Sequence, residues 1–261
     1  MTNEERFSFH RYFVVRLSLT KKMRKVRFAK SCIYHIYNRG VEKRDIFLND
    51  SDRWRFLQAL LLFNREKSPF NLLWKLEQEH KGRMNFRILK EFLERNSKQK
   101  TPLVRIMADC LMPNHYHLVV EELAEGGITK FMHKLGTGYT MYFNKKYHRV
   151  GGLFQGTFKA VQVDTDEYLQ NLLAYVNVIN PGELIEPNLK EEGVKDVERI
   201  MQFAESYSWS THLEYLGERD SPIIDKGVAQ SLFYSRDKYK KFVENALTTR
   251  KINTIEHLIL E

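Results

Sequence analysis

Cysteine is almost missing from this chain: Cys32 and Cys110 are the only two in 261 residues. Each sits in an apolar, strand-like run, which argues against a disulfide framework or a cysteine-based zinc site and for a reducing compartment. No apolar run approaches the roughly 18–20 residues that cross a bilayer. The first residues, MTNEERFSFHRYF, carry Glu4 and Glu5 and no continuous apolar stretch, so they do not read as a signal peptide. Internal repeats, low-complexity tracts and a Walker-type glycine-rich loop are absent too, which sets aside solenoids and P-loop nucleotide chemistry. The default expectation is a cytoplasmic protein.

What is present is an ordinary soluble composition with a cationic excess. Hydrophobic residues make up 43% and charged residues 29%, with a formal net charge of +9. A balance of this kind suits a polyanionic partner, nucleic acid above all, although a basic protein can also be basic for solubility alone. The excess is uneven. Residues 11–30 hold eight basic residues and no acid, a strip suited to a phosphate backbone or to solvent.

The chain is expected to divide into a basic arm over 1–28, a core over 29–187 and a helical extension over 188–261. SCIYHIYNRG reads as a strand that leaves into a basic loop at Gly40. NDSDRWRFLQALLLFNRE reads as a helix capped from Asn49, Asp50 or Ser51. Residues 64–101 are charged and amphipathic, an insertion before the next strand. In PLVRIMADCLMPNHYHLVVEE two apolar runs flank a Pro-Asn turn, which predicts an antiparallel hairpin. GGITKFMHKLGTGYTMYFNKKYHRVGG reads as a helix closing in a basic loop and LFQGTFKAVQVD as a loop entering a strand, and a helix from Thr165 or Asp166 to about 179 follows, with Pro181 and Gly182 as its stop. The order β-α-β-β-α-β predicts an α+β, ferredoxin-like split-βαβ sandwich with an antiparallel sheet and helices on one face.

On a strand His115 and His117 share one face and Tyr116 takes the other. Two imidazoles so placed can reach one ion from an open face, or can be two rings on a strand and nothing more. On the helix from 166, Tyr168, Asn171 and Tyr175 form one stripe, while Leu169, Leu172, Leu173 and Val176 form another that should meet the sheet. A tyrosine there is either a core-edge residue or, as a phenolate, a nucleophile for phosphodiesters.

Taken in order, YHIYNRG, DIF, MPNHYHL, LFQGTFKA, DEYL and the tyrosine upstream of Asn-Pro resemble the REP-associated tyrosine transposases, a branch of the HUH single-tyrosine transposases. The resemblance runs over about 29–187, interrupted by the insertion. It implies a ferredoxin-like core, a divalent ion (Mg²⁺ or Mn²⁺) on His115 and His117, and Tyr175 as the nucleophile that becomes joined to a 5′ phosphate. It also implies single-stranded DNA with a hairpin, a REP-like palindrome, as the partner, in a monomer or homodimer associated with the nucleoid. Arg39, Lys43, Arg44, Lys145, Lys146, Arg149 and Lys159, interleaved with Tyr37, Phe154 and Phe158, would line the DNA path.

One position departs from the family pattern. The family places Gln or Asn four residues after the nucleophile as a third ligand; that position is Ile179, and Asn180 is five on. Five residues turn an ideal helix about 140° past the tyrosine. A one-residue bulge or an early helix end would return Asn180 to the site; otherwise Asn171 or water completes the metal. Asn180 is the expected ligand. The competing readings are a hairpin-DNA binding protein that does not cut, for which this displacement speaks, and an unrelated zinc enzyme using the His-x-His pair.

Overall fold

The computed structural model describes residues 26–67, 70–80, 83–96 and 101–248. The basic arm expected over 1–28 lies outside them but for its last three residues. The sheet has four strands in the order β2-β3-β1-β4, with β1 Ile33–Arg39, β2 Val104–Met112, β3 His115–Glu122 and β4 Lys159–Val163. All three pairings are antiparallel. Helix α1, Asp50–Phe63, connects β1 to β2, and the sandwich's second helix, Gly127–Lys146, connects β3 to β4. This is the split-βαβ topology that the element order predicts. The insertion between α1 and β2 folds as two helices, α2 Phe70–His80 and α3 Phe86–Asn96; Leu76, Leu89 and Phe92 bury against the core, so it is part of the packed body.

Residue alternation decides which face each strand residue serves. Tyr34, Ile36, Tyr116, Leu118 and Val120 pack with α1 and the 127–146 helix, here α4. On α4, Phe131, Leu135, Tyr139 and Phe143 recur every four residues and form the buried stripe. The two helices approach closely because Gly138 has no side chain: a Cβ there would lie 2.6 Å from the Phe63 ring. Glu122, buried at the end of β3, accepts from the backbone N–H groups of Gly126 and Ile128 and so caps α4.

The sandwich departs from expectation on its second face. Helices on one face and an open ligand face were expected; instead both faces are covered. Helix α5, Asp166–Ala174, starts at a Thr165 cap and continues through a π turn, Tyr175–Ile179, into α6, Asn180–Gly182. Its Leu169, Leu172, Leu173 and Val176 pack on Ala108, Cys110 and Val119 of the sheet. The C-terminal extension supplies α7 Leu189–Glu192, α8 Val197–Ser206, α9 His212–Leu216, α10 Ala229–Leu232 and α11 Arg236–Thr248. Ile200, Met201, Ala204, Tyr239 and Val243 close over the outer side of α5. Covering that face removes a large apolar surface from water, which is the driving force for keeping the extension docked. The extension also covers the outer edge of β2: the Leu111 N–H donates to Trp209 O at 2.8 Å and the Thr211 N–H to Asp109 O at 3.1 Å, pairing an edge that would otherwise be free. Among the described residues no helix is long and apolar enough to cross a membrane.

A buried carboxylate joins the two sandwich helices. Asp52 accepts from Lys146 Nζ at 2.6 Å, Tyr142 OH at 3.0 Å, Tyr147 OH at 2.7 Å and the Leu48 N–H at 2.9 Å. Lys146, one of the cations expected along the DNA path, is thus an internal anchor. Burial pushes the Asp52 carboxyl up, but the bonds from Lys146, Tyr147, Leu48 and Tyr142 outweigh burial and hold it below its ordinary value. A carboxyl depressed in the folded state stabilises above its unfolded pKa of about 3.9 and loses that contribution as pH falls through the folded value. Asp52→Asn is therefore expected to cost roughly 3 kcal/mol in denaturant unfolding at pH 7, with wild-type and variant curves converging in acid below about pH 4. Equal stabilities at pH 7 would contradict this role.

Candidate active site

The site grows from three rows of the covered sheet face. Tyr37, His117 and Cys110 stand side by side in the register of β1, β3 and β2; His35 lies beside Val119, and His115 beside Arg39 and Met112. The alternation that put Tyr34 and Ile36 in the core turns His35 and Tyr37 to this face. His35 and His117 are fully buried, whereas His115 at the start of β3 is half-buried. The His115 and His117 rings are 5.0 Å apart between centroids, and the His117 and Tyr175 rings 5.6 Å apart. The structure thus brings both histidines and the tyrosine together.

Each histidine of the pair is held through its Nδ1. His117 Nδ1 lies 2.8 Å from His35 Nε2, and His115 Nδ1 lies 2.6 Å from Asn114 Oδ1. The buried His117 Nε2 has no hydrogen-bond partner among the described residues. A proton on Nδ1 satisfies both contacts and leaves each Nε2 as a lone pair, the arrangement that outer partners impose on metal-binding histidines. Burial, with Lys190 and Arg39 nearby, pushes His115 down to about 3. Burial, His115, His35 and Lys190 push His117 well below its ordinary value. Both imidazoles are therefore neutral at neutral pH.

The helix above them is distorted where the family spacing is broken. In the π turn the Asn180 N–H donates to Tyr175 O, one residue further than in an α-helix. Pro181 supplies the cause: it has no N–H to offer the Asn177 carbonyl four residues back, and its ring crowds that carbonyl. The carbonyl finds another donor in Ser210 Oγ at 3.1 Å. The Asn177 side chain is fixed as well, accepting from Thr211 Oγ1 at 2.6 Å and donating to Tyr239 OH at 3.0 Å. The extra residue returns Asn180 to the Tyr175 side of the helix: Lys190 Nζ donates to Tyr175 OH at 3.1 Å and to Asn180 Oδ1 at 3.0 Å. Asn171 has no comparable link to this group.

Tyr175 is 1% exposed. Burial pushes its phenol well above the ordinary value, Glu183 adds to the rise, and a hydrogen bond with Asn180 opposes it. No group of three or more His, Cys, Asp and Glu side chains suited to a metal comes together among the described residues. The donors at hand are thus two imidazole Nε2 atoms and the Asn180 amide oxygen. This all-neutral set, with its unpaired buried Nε2, fits a divalent ion, and its imidazoles suit Mn²⁺ better than the oxygen-seeking Mg²⁺.

Of the predicted DNA-binding cations, Arg39, Lys43 and Arg44 lie at the His115 end, whereas Lys146 is held inside by Asp52. Arg39 closes β1; Lys43 and Arg44 follow at a 3₁₀ turn, Val41–Lys43, where Glu42 and Lys43 take left-handed backbone with φ of 57° and 58°. Gly40 passes so close to the Arg44 carbonyl oxygen that any Cβ would collide with it, which fixes the tight exit from the strand. Gly40 also bridges to Phe154, which brings in the loop after α4 that carries Arg149. Lys43 is exposed, Arg149 lies over the Phe143 ring, and Lys159 sits 5.9 Å from the Tyr37 ring centroid on the site face. Two site residues were not foreseen. His35 had a signal, since it alternates with Tyr34 and Ile36 on a strand; Lys190, far along the chain in a polar stretch, had none.

A family model described as "Transposase IS200 like" matches residues 28–178, more than half of the chain. No curated protein matches. Among solved structures, one titled "Structure of the REP associates tyrosine transposase bound to a REP hairpin" is similar with a TM-score of 0.41 and 12% sequence identity, covering 78% of this chain and 91% of that one. A likeness at that level carries no argument about function.

The histidine geometry has a direct spectroscopic consequence. Long-range ¹⁵N–¹H correlation spectra at about pH 5, where an unperturbed histidine of pKa about 6.5 is mostly charged, are expected to show His115 and His117 neutral and protonated on Nδ1. Charged rings, or protons on Nε2, would contradict it.

Proposed function

The chain belongs to the IS200-like transposases, and from that membership we propose that it is a metal-dependent single-stranded DNA endonuclease and strand transferase. It would act beside DNA hairpins through a 5′-phosphotyrosine on Tyr175. The observation that carries this reading is the π turn: it sets Tyr175 and Asn180 on one side of a helix, above two histidines whose Nε2 lone pairs are free of the sheet's own hydrogen bonds.

The chain's own groups divide the work. Tyr175 attacks phosphorus; its oxygen forms the new P–O bond, the bond from phosphorus to the 3′ oxygen breaks, and that oxygen leaves as a 3′-OH. The phenol gives up one proton to solvent and the departing 3′ oxygen takes one up, so the step is proton-neutral. Because one phosphodiester replaces another, the step needs no nucleotide cofactor and runs backward when a 3′-OH returns. His115, His117 and Asn180 would hold a divalent ion, which supplies Lewis-acid polarisation of the scissile phosphate when bound. Arg39, in register with His115, and Lys43 and Arg44 on the turn that follows suit the phosphates of an entering strand, and Arg149 and Lys159 would extend its path.

A second reading, hairpin binding without cleavage, is favoured by one specific observation: the nucleophile is 1% exposed beneath the extension. The two are separated by incubating the protein with hairpin-bearing single strands and Mn²⁺. The proposal expects a covalent protein–DNA adduct that resists denaturing electrophoresis, disappears in Tyr175→Phe and forms at lower Mn²⁺ than Mg²⁺ concentration, while Tyr175→Phe still binds the hairpin. Binding without any adduct in wild type would establish the second reading instead. Replacing Lys43 by Ala should lower the slope of log affinity against log salt by about 0.7–0.9, one phosphate contact.

A further inference from the structure

The family model ends at residue 178, yet a charged group from beyond it touches the proposed nucleophile. Lys190 lies in the first turn of α7 of the C-terminal extension, and its side chain is only 7% exposed. Its Nζ lies 3.1 Å from Tyr175 OH, 3.0 Å from Asn180 Oδ1 and 2.7 Å from Glu183 Oε2, and 4.7 Å from the centroid of the Tyr175 ring. An ammonium group has three protons to donate, and these three acceptors match them.

We propose that Lys190 is a catalytic residue of the tyrosine chemistry: its ammonium group holds the Tyr175 oxygen in place and meets the negative charge on that oxygen in both cleavage and rejoining. This rests on the reading of Tyr175 as the nucleophile. During cleavage the phenolic oxygen carries charge before its bond to phosphorus is complete. During rejoining the same oxygen is the leaving group and carries charge as that bond breaks. A buried oxyanion is costly unless a donor or a cation meets it. Among the described residues Lys190 is the cation in contact with it. Glu183 compensates the ammonium between turnovers, so the cation is not left buried alone. Asn180 Oδ1 has two lone pairs, so its bond from Lys190 leaves it a second acceptor site. The extension is thus part of the active site and not only its cover.

Two variants test this, Lys190→Met, which keeps the length and apolar stem, and Lys190→Arg, which keeps the charge. In single-turnover reactions with a hairpin-bearing strand and saturating Mn²⁺, Lys190→Met is expected to form adduct roughly 10²–10³-fold more slowly, the size of effect of one lost charge-stabilising donor. Rejoining of purified adduct to a 3′-OH strand should slow by the same factor. Hairpin affinity and Mn²⁺ affinity, by titration, should stay within about 2-fold, and Lys190→Arg should recover part of the rate. A rate loss that follows weakened Mn²⁺ binding, or cleavage slowed without rejoining, would overturn the proposal in favour of a structural role. A second measurement needs no turnover: with ¹³Cζ-labelled tyrosine, the Tyr175 resonance, identified by its loss in Tyr175→Phe, should move in Lys190→Met. An unmoved resonance would overturn the contact itself. Absence of adduct in wild type together with a moved resonance would instead place the failure in the assignment of Tyr175 as nucleophile, and would remove the catalytic role of Lys190 with it.

Discussion

Pro181 has no N–H, and the geometry of the whole candidate site follows from where its helix makes room for that lack. A proline placed a turn beyond a tyrosine would ordinarily kink or end the helix. In this chain the strain is taken up as one wide turn, closed by the Asn180 N–H on Tyr175 O. The Asn177 carbonyl is satisfied from outside by Ser210. Thr211 and Tyr239 then lock the Asn177 side chain, so a distortion that could relax is held by three bonds to two segments, 33–34 and 62 residues away. A buried polar group with every partner in place is stabilising and orientation-specific, whereas one with a partner missing costs free energy. The helix that carries Tyr175 and the extension that covers it therefore depend on each other.

The face below is electrostatically unusual in a complementary way. Three histidines and two tyrosines converge with little carboxylate among them, and the nearest acid, Glu183, is engaged by Lys190. Burial keeps the imidazoles neutral, and neutral imidazoles are ligands where charged ones are not. The same burial opposes ionisation of Tyr175. The phenol therefore stays protonated at neutral pH, with the Lys190 ammonium already in contact with its oxygen. Loss of the neutral-histidine environment in acid also has a defined sign: folded values below the unfolded one mean that stability falls as pH drops below about 6.5, with His115 taking up its proton only near 3 and His117 also held well below its ordinary value.

Much of this was legible from residues alone because it is written in short-range pattern. The His-Tyr-His alternation fixed which rings share a face, the Pro-Asn turn fixed the hairpin, and Asn49 and Thr165 mark caps that the structure forms. Motif order identified the family. The displaced Asn180 pointed to a bulge as one of several remedies, and a π turn is what the helix contains; whether Asn180 then ligates a metal stands as a proposal. What could not be read depends on long-range packing. The second covered face arises because α5 is apolar towards the sheet and still apolar on its outer side, where the extension docks. His35 and Lys190 enter through tertiary contacts across 82 and 15 residues of chain, and Lys146 carried no local sign that Asp52 would claim it.

On the proposed function, the π turn and the histidine pair together build one metal centre beside Tyr175. Anomalous scattering from crystals grown with Mn²⁺ would locate it. A single manganese peak coordinated by His115 Nε2, His117 Nε2 and Asn180 Oδ1 is expected. A peak bound through Nδ1, one that excludes Asn180, or no peak at this site at saturating Mn²⁺ would contradict it.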